Sequence, residues 1–391
     1  MSLQKKTLLI TTSRFPFPLE KGDKLRAFHQ IKALSKTYDI ILCSITRQDI
    51  KHEWKNELDT YCKSVHIFKL NYILLLWNTF KKVFSNMPFQ IGYFYQKSIH
   101  KQINKIISHS KPDLIYCQLI RTAEYVKNIH SIPKTLDYMD ALGSGLSRRG
   151  ENAKFLPKII LNLEANRVKL YENKIFDYFN YHTIISVQDQ KLIQHPQHKD
   201  IKIIPNGIDS YFYNYTNKNL KKEYDLVFVG NLNYPPNIES CTYIINQILP
   251  LFKAKGIELT VLLSGANPNQ KIKQFDSLKN VTVTGWVDDI RESYLKGKIF
   301  IAPLFIGTGL QNKLLEAMAL NIPCITTSLA NNALGAKPDS ELLIADTLTE
   351  FESAIDLLLN NQDELTKIAE NGHYFVKTNF DWENSVGRIQ F

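Results

Sequence analysis

The chain has 391 residues, room for two domains at about 150 residues each. Its 44% hydrophobic and 22% charged residues are ordinary globular composition and exclude a disordered or collagen-like chain. The net charge of +10 is uneven, +15 over residues 1–205 and −5 over residues 206–391, so the first half is expected to face nucleic acid, a membrane surface or a phosphorylated substrate, unless its lysines only solvate the surface.

A first strand is predicted over Thr7–Thr12, an apolar stretch too short before Arg14 for a signal peptide. Arg14, Lys21, Lys24 and Arg26 make the following loop and helix start basic, around Gly22 and the candidate N-cap Asp23, with the helix over Lys24–Ser35. Further strands are predicted over Asp39–Ile45, Val65–Leu70, Asp113–Gln118, Lys134–Tyr138, Thr183–Val187 and Ile201–Ile204, with helices over Lys97–Ser108 and Pro157–Phe176. Apolar strands separated by helices imply a parallel sheet covered on both faces. The stretch Tyr72–Tyr95 mixes Leu, Trp, Phe and Tyr with Lys81 and Lys82. It reads either as a helix packed in the first domain or as an interfacial segment on anionic lipid.

The pattern breaks at the turn Pro205-Asn206-Gly207 and the polar stretch Asn214–Lys222, then restarts. Strands are predicted over Asp225–Gly230, Glu258–Ser264, Asn280–Thr284, Lys298–Ala302, Ile322–Thr326 and Glu341–Ala345. Helices are predicted over Ile238–Ile248, Asn312–Leu320, Glu350–Leu359 and Asp363–Thr378. The expected fold is α/β, two successive doubly wound domains joined near residue 206. No apolar run approaches the roughly 18 residues of a membrane span, and a cytoplasmic soluble protein is expected. The five cysteines are far apart, with no CxxC and no His/Cys cluster at metal-ligand spacing, so buried free thiols are expected.

Ligands of open α/β sheets bind outside the carboxyl ends of the strands. Two such domains facing each other form a cleft, suited to a two-substrate reaction kept from water. The densest chemical signal follows the strand Lys298–Ala302: Gly307-Thr308-Gly309-Leu310-Gln311-Asn312-Lys313, then Glu316-Ala317-Met318. Glycines let backbone approach a ligand, and a helix beginning near Gln311 points free N–H groups at an anion such as a diphosphate. Lys313 and Glu316 share a helix face: the lysine can neutralise phosphate and the glutamate can accept from ribose hydroxyls. A glycine loop with a solvated Lys–Glu pair is the plain alternative. Asp140, just past a strand, is a candidate to accept the proton of a hydroxyl or simply a helix cap. His29 and His182 read as satisfied histidines and Trp286 as a core residue. Neither GxxxxGK[ST] nor a GxGxxG after either domain's first strand is present, which removes the main support for ATPase and NAD-enzyme readings.

The segment through Glu316-Ala317-Met318 resembles the nucleotide-sugar signature of family 4 glycosyltransferases (glycosyl transferases group 1), specifically the exopolysaccharide sugar-transferase branch. Arg14-Phe-Pro-Phe-Pro18 with Lys21–Arg26, Asp137–Asp140, Glu164, Tyr171-Glu172, Pro205-Asn206-Gly207, Gly230-Asn231 with Asn237, Thr284–Asp289 and Asp381-Trp382-Glu383 extend the resemblance along the chain. It implies the GT-B fold, two facing Rossmann-like domains: an acceptor domain over 1–206, a donor domain over 207–378, and a terminal helix over 379–391 packing back on the first domain. It also implies a hexosyltransferase-type enzyme that retains anomeric configuration. The donor would be a nucleotide diphosphate sugar and the acceptor a glycan or lipid-linked hydroxyl in cell-surface polysaccharide synthesis. No cofactor, no obligate metal and no nucleic acid are implied, and the enzyme would sit in the cytoplasm with peripheral contact to the anionic inner face of the membrane.

Carried onto this sequence, the resemblance assigns donor binding to Gly22, Asn231, Asn237, Gly265, Val287, Thr308, Gly309, Leu310, Lys313 and Glu316. It assigns catalysis to Asp140 and Lys313, and the acceptor side to Arg14, Lys24 and Arg26. Three positions depart from the family: Thr308 stands where its first signature glutamate would be, and Asn231 and Asn237 stand where a positive pair clamps the diphosphate. Those departures keep open a non-catalytic GT-B subunit that binds nucleotide sugar and scaffolds a partner transferase. A nucleic-acid binder and an epimerase on the same fold are further alternatives.

Overall fold

β-Branched and leucine runs of the first half pair edge to edge as parallel strands, the central ones Thr7–Thr12, Asp39–Thr46 and Leu114–Gln118 buried along almost their whole length and so on both faces. The computed structural model describes residues 5–19, 21–72, 87–151, 155–215, 220–306 and 309–391. Two units result, one of Met1–Asn206 with Trp382–Phe391 and the other of Gly207–Asp381.

In the first unit the described strands are β1 (Thr7–Thr12), β2 (Asp39–Thr46), β3 (Ser64–Lys69), β4 (Leu114–Gln118), β5 (Lys134–Asp137), β6 (Tyr181–Ile184) and β7 (Lys202–Ile203). Their order is β3-β2-β1-β4-β5-β6-β7, every pair parallel. The strand order reverses between β1 and β4, where an open sheet of this kind leaves a ligand crevice. The segment Trp382–Phe391 closes the unit: the Trp382 ring stacks on His29 at 4.8 Å between centroids, and Lys36 pairs with Glu383.

The second unit repeats the plan with β8 (Tyr224–Val229), β9 (Val261–Ser264), β10 (Val281–Val283), β11 (Gly297–Ala302), β12 (Cys324–Thr326) and β13 (Leu343–Ile344) in the order β10-β9-β8-β11-β12-β13. Its switch point lies between β8 and β11. This is the expected doubly wound α/β class, twice. All five cysteines are free and buried, and burial pushes the Cys117 thiol up to about 11. Among the described residues no helix is long and apolar enough to cross a membrane.

Several local expectations are corrected. The strand predicted through Val187 ends at Ile184, and Ser186 instead caps a helix Val187–Leu192, its Oγ accepting from the Asp189 N–H at 3.0 Å. The Ser-x-x-Asp cap signal is hidden inside a β-branched run. Trp286, expected in the core, is 73% exposed. Of the Tyr72–Tyr95 stretch, residues 73–86 lie outside those described. Phe89–Phe94 is a helix whose first N–H groups, on Phe89 and Gln90, donate to the Glu164 carboxylate at 2.9 and 3.0 Å.

Arg26 is the largest correction. Assigned to the acceptor side, it is instead fully buried, forked onto Asp137 by its Nε at 2.7 Å and its Nη2 at 3.1 Å. Its Nη1 donates to the Ile204 carbonyl at 2.9 Å and to Asn206 Oδ1 at 3.0 Å. Gln30, Thr183 and the Met139 N–H complete the shell of donors around Asp137. Burial alone would raise the Asp137 pKa, but Arg26 beside it holds the carboxyl below its ordinary value. Removing one partner of such a pair strands the other charge, so Arg26→Ala is expected to destabilise the first unit by about 3–5 kcal/mol. Urea denaturation followed by tryptophan fluorescence checks this, and a loss below 1 kcal/mol would contradict the keystone role given to the pair.

Candidate functional site

The switch point of the second unit is shaped by two glycines. Gly265, after β9, has φ +137°, and a Cβ on it would fall 1.9 Å from the Gly230 carbonyl oxygen at the end of β8. A Cβ on Gly230 would in turn lie 2.7 Å from Asn237 Nδ2 and 3.4 Å from Lys313 Cε. Only glycine allows these backbones to meet, and the meeting opens the strand ends to the first turn of the helix Asn312–Ala319.

Lys313 enters from that first turn. Its Nζ donates to Asn237 Oδ1 at 2.8 Å and to Gln311 Oε1 at 3.2 Å, and stands 5.6 Å from the centroid of the Phe228 ring. Burial draws its pKa down to about 8, against the opposing pull of Glu316. The ammonium is therefore mostly charged at neutral pH, yet set against apolar surface where a dianionic partner would replace lost hydration. Asn237 is 3% exposed and its amide is committed: it accepts from Lys313 and donates to the Asn231 carbonyl at 2.9 Å. Assigned to donor contact, it acts here as an orienter of Lys313. Asn231 is exposed, with its Oδ1 accepting from the Asn233 N–H at 3.0 Å.

Glu316 lies one helical turn on, half-buried, and accepts a hydrogen bond from the Tyr294 hydroxyl at 2.7 Å. Burial raises its pKa, with Tyr294 and Lys313 pulling the other way. Tyr294 is fully buried and was not singled out from the sequence, because a tyrosine on an amphipathic stretch reads as core. The loop after β11 is pinned by Ser240 Oγ on the Pro303 carbonyl at 2.8 Å and Thr327 Oγ1 on the Leu304 carbonyl at 2.6 Å. Gly307 and Thr308 lie outside the described residues. Beyond them, exposed Gly309 accepts from Gln311 Nε2 at 2.9 Å, and Leu310 is half-buried. Val287 follows β10 beside exposed Trp286. Thr284 Oγ1 and Ser264 Oγ, 2.8 Å apart, link the ends of β10 and β9.

In the first unit, Gly22 opens the helix Gly22–Leu34 and packs toward Met139, whose Cε would lie 3.5 Å from a Cβ at that position. Met139 has φ +65°, a left-handed conformation that costs a non-glycine residue of order 1 kcal/mol or more and clusters at functional sites. It delivers Asp140 past the end of β5 while Asp137 stays buried. The Asp140 residue keeps solvent contact, but desolvation of its carboxyl, with the Asp189 carboxylate beside it, pushes the pKa up to about 6 against the pull of Arg121 and Arg149. Arg14 pairs with Asp23 at 2.9 Å, and Lys24 Nζ donates to the Phe17 carbonyl at 3.0 Å. Both line a cavity of about 570 Å³ at the carboxyl end of β1; Arg26 does not. His182, stacked on Phe176 at 3.7 Å and pushed down to about 4 by burial, is neutral and structural.

This geometry can be set beside known proteins. Residues 223–361, which span the whole glycine, lysine and glutamate constellation, match the family model described as glycosyl transferases group 1. The match falls wholly within the second unit. An uncharacterized 44.6 kDa protein in the cps region of Klebsiella pneumoniae is 23% identical over 96% of both chains. Sucrose-phosphate synthase from Thermosynechococcus elongatus shares the fold at a TM-score of 0.69 and 14% identity, covering 98% of this chain and 97% of that one. HepE from Anabaena, solved with UDP and glucose, matches at a TM-score of 0.68 and 14% identity over 98% of both chains. The fold is GT-B.

Two substitutions test the construction of the site. Gly265→Ala is expected to lower the stability of the second unit by at least about 2 kcal/mol, since strain at positive φ and a backbone clash act together. Tyr294→Phe leaves an oxygen of the half-buried Glu316 carboxylate without its donor and is expected to cost about 1–3 kcal/mol. Chemical denaturation of the two variants reads both. An unchanged midpoint in Gly265→Ala would mean that the two loops do not meet as described.

Proposed function

We propose that the protein is a retaining glycosyltransferase that moves a sugar from a nucleotide diphosphate sugar to a hydroxyl acceptor in surface polysaccharide synthesis. The observation that carries this reading is the Lys313 ammonium, held by Asn237 at the carboxyl ends of β8 and β11, with Glu316 one turn away. A group 1 match within the second unit, a fold shared with a protein solved with UDP and glucose, and a relative from a cps region all support it.

In this reading the departing diphosphate is met by Lys313, by the N–H groups opening the helix Asn312–Ala319 and by the loop through Gly309 and Leu310. Preorganised charge of this kind is usually the largest catalytic term. Glu316, steadied by Tyr294, accepts from the ribose hydroxyls, while backbone near Val287 meets the base. Positive charge at the leaving group comes from protein, so no metal or cofactor is required. On a front face the departing phosphate oxygen can take the acceptor proton; Asp140, pushed up to about 6, is ionised at neutral pH and is the first unit's candidate base. Any membrane contact is taken in this reading to be peripheral; among the described residues no helix is long and apolar enough to cross a membrane.

Isothermal titration with UDP, GDP, ADP and dTDP tests the donor site. One nucleotide is expected to bind, and Glu316→Ala to weaken it by roughly 5- to 150-fold, the equivalent of one lost buried hydrogen-bonding partner. Failure of all four to bind, or indifference to Glu316→Ala, would sink the assignment. The pH dependence has a definite sign. Because the ligand-free Lys313 pKa is about 8, affinity should fall about tenfold from pH 7 to pH 9 as the ammonium discharges. Lys313→Arg, charged throughout, should flatten that fall. Turnover of the donor, absent in a scaffold subunit, should show an acid limb near pH 6 that Asp140→Asn removes.

A further inference from the structure

The helix Ile290–Leu295 has only six residues, well short of the roughly 12–15 at which an isolated helix is even marginal in water. Yet it carries the Tyr294 hydroxyl that donates to Glu316 at 2.7 Å. Its place is therefore set by what grips it from outside. One grip is on its inner face, where the buried Ser293 Oγ lies 2.7 Å from Ser264 Oγ at the end of β9. The other is at its start. Asp289 caps the helix, its Oδ1 accepting from the Arg291 N–H at 3.0 Å. Arg291 forks back onto the same carboxylate, by Nε at 3.0 and 3.1 Å and by Nη2 at 2.7 Å.

That pair is internal to one turn and cannot by itself place the helix. Tyr211 can. It lies on the short helix Ser210–Tyr213, soon after the turn Pro205-Asn206-Gly207. Its hydroxyl donates to Asp289 Oδ1 at 2.7 Å, its carbonyl accepts from Arg291 Nη1 at 2.6 Å, and its ring centroid lies 3.3 Å from the guanidinium carbon. The Tyr215 ring stands at 4.8 Å from the same carbon. These contacts engage both members of the pair, so the guanidinium plane and the carboxylate direction are fixed together. Exposed ion pairs contribute little, but here the Arg291 and Asp289 side chains are only 14% and 24% exposed. The Arg291 fork, helped by the Tyr211 hydroxyl, draws the Asp289 carboxyl down to about 2. Tyr211 itself is 43% exposed and has no part in the core.

We infer that Tyr211 is a positioning residue for the donor site: through Asp289, Arg291 and the helix they open, it sets where the Tyr294 hydroxyl holds Glu316, and so how tightly the ribose hydroxyls are bound. The inference rests on the transferase reading, since it assigns the control of that reading's ribose contact. Tyr211 touches Glu316 only by way of other residues, and its effect is confined to the part of the nucleotide that Glu316 meets. Phosphate and base contacts are left as they were.

The full-length protein is titrated with UDP, GDP, ADP and dTDP and with the 2′,3′-dideoxy form of each. For the nucleotide that binds, Tyr211→Ala is expected to weaken affinity about tenfold and to leave the dideoxy form within twofold. Tyr211→Phe, which keeps the ring over the guanidinium, should recover most of that loss. In a Glu316→Ala background Tyr211→Ala should cost nothing further, as expected of two residues acting through one contact. Amide hydrogen exchange of the ligand-free protein supplies a second readout: Ile290–Leu295 should exchange at least threefold faster in Tyr211→Ala, with the denaturation midpoint of Tyr211→Phe unmoved. Equal losses for a nucleotide and its dideoxy form, no loss in Tyr211→Ala, or a full additional loss in the Glu316→Ala background overturns the inference while the donor site stands. Unchanged exchange over Ile290–Leu295 overturns it whether or not a nucleotide binds. Failure of all four nucleotides to bind the unaltered protein rejects the transferase reading, and the role given to Tyr211 falls with it.

Discussion

The first unit is organised around a charge pair that water cannot reach. Arg26 and Asp137 are both without solvent exposure, and each is tolerable there only because every guanidinium nitrogen and both carboxylate oxygens have hydrogen-bond partners. Arg26 leaves the first helix and reaches the end of β5, the Ile204 carbonyl and Asn206, the residue at which the unit ends. Asp137 in turn fixes the Met139 N–H, and with it the left-handed step that presents Asp140. A strand end, a helix and the last residue before the second unit are thus set by one ion pair. Apolar residues would supply comparable stability, but they would not fix these directions.

The second unit solves a different electrostatic problem. Asparagines rather than a positive pair stand after β8, and one of them, Asn237, accepts from the lysine in the first turn of the helix Asn312–Ala319. The charge is concentrated on a single ammonium, drawn toward neutrality by its burial and steered by Asn237. Such a site trades strength of attraction for direction, and makes the charge sensitive to mild alkali in a way that arginine is not. Two glycines at van der Waals limits make room for it, so the site depends on backbone as much as on side chains.

Much of this was legible beforehand. Alternating apolar runs and helices announced two doubly wound sheets, since burial on both faces leaves a continuous β-branched signature, and the Gly–Lys–Glu spacing marked the helix that carries Lys313 and Glu316. What escaped was long-range. An arginine in the first turn of a helix beside three other cations reads as a solvated rim; nothing local reveals that Asp137, 111 residues on, awaits it. Tyr294 is likewise defined only by the glutamate it meets from another helix. Trp286 misled because large aromatic residues are usually buried, and Leu142–Glu151, rich in glycine and serine, hid a helix whose small residues allow close packing: a Cβ on Gly143 would fall 2.6 Å from the Lys169 side chain.

The return of Trp382–Phe391 to the first unit gives the chain an order of events during its own synthesis. The ribosome releases residues 1–206 early, but the surface around His29 stays uncovered until the last segment emerges, after the entire second unit has been made. The contiguous second unit can finish folding while the older one waits, reversing the usual rule that N-terminal domains complete first. A nascent chain stalled before Trp382 would therefore expose the apolar flank of its oldest part, and chaperone capture there would be governed by the translation time of residues 207–381.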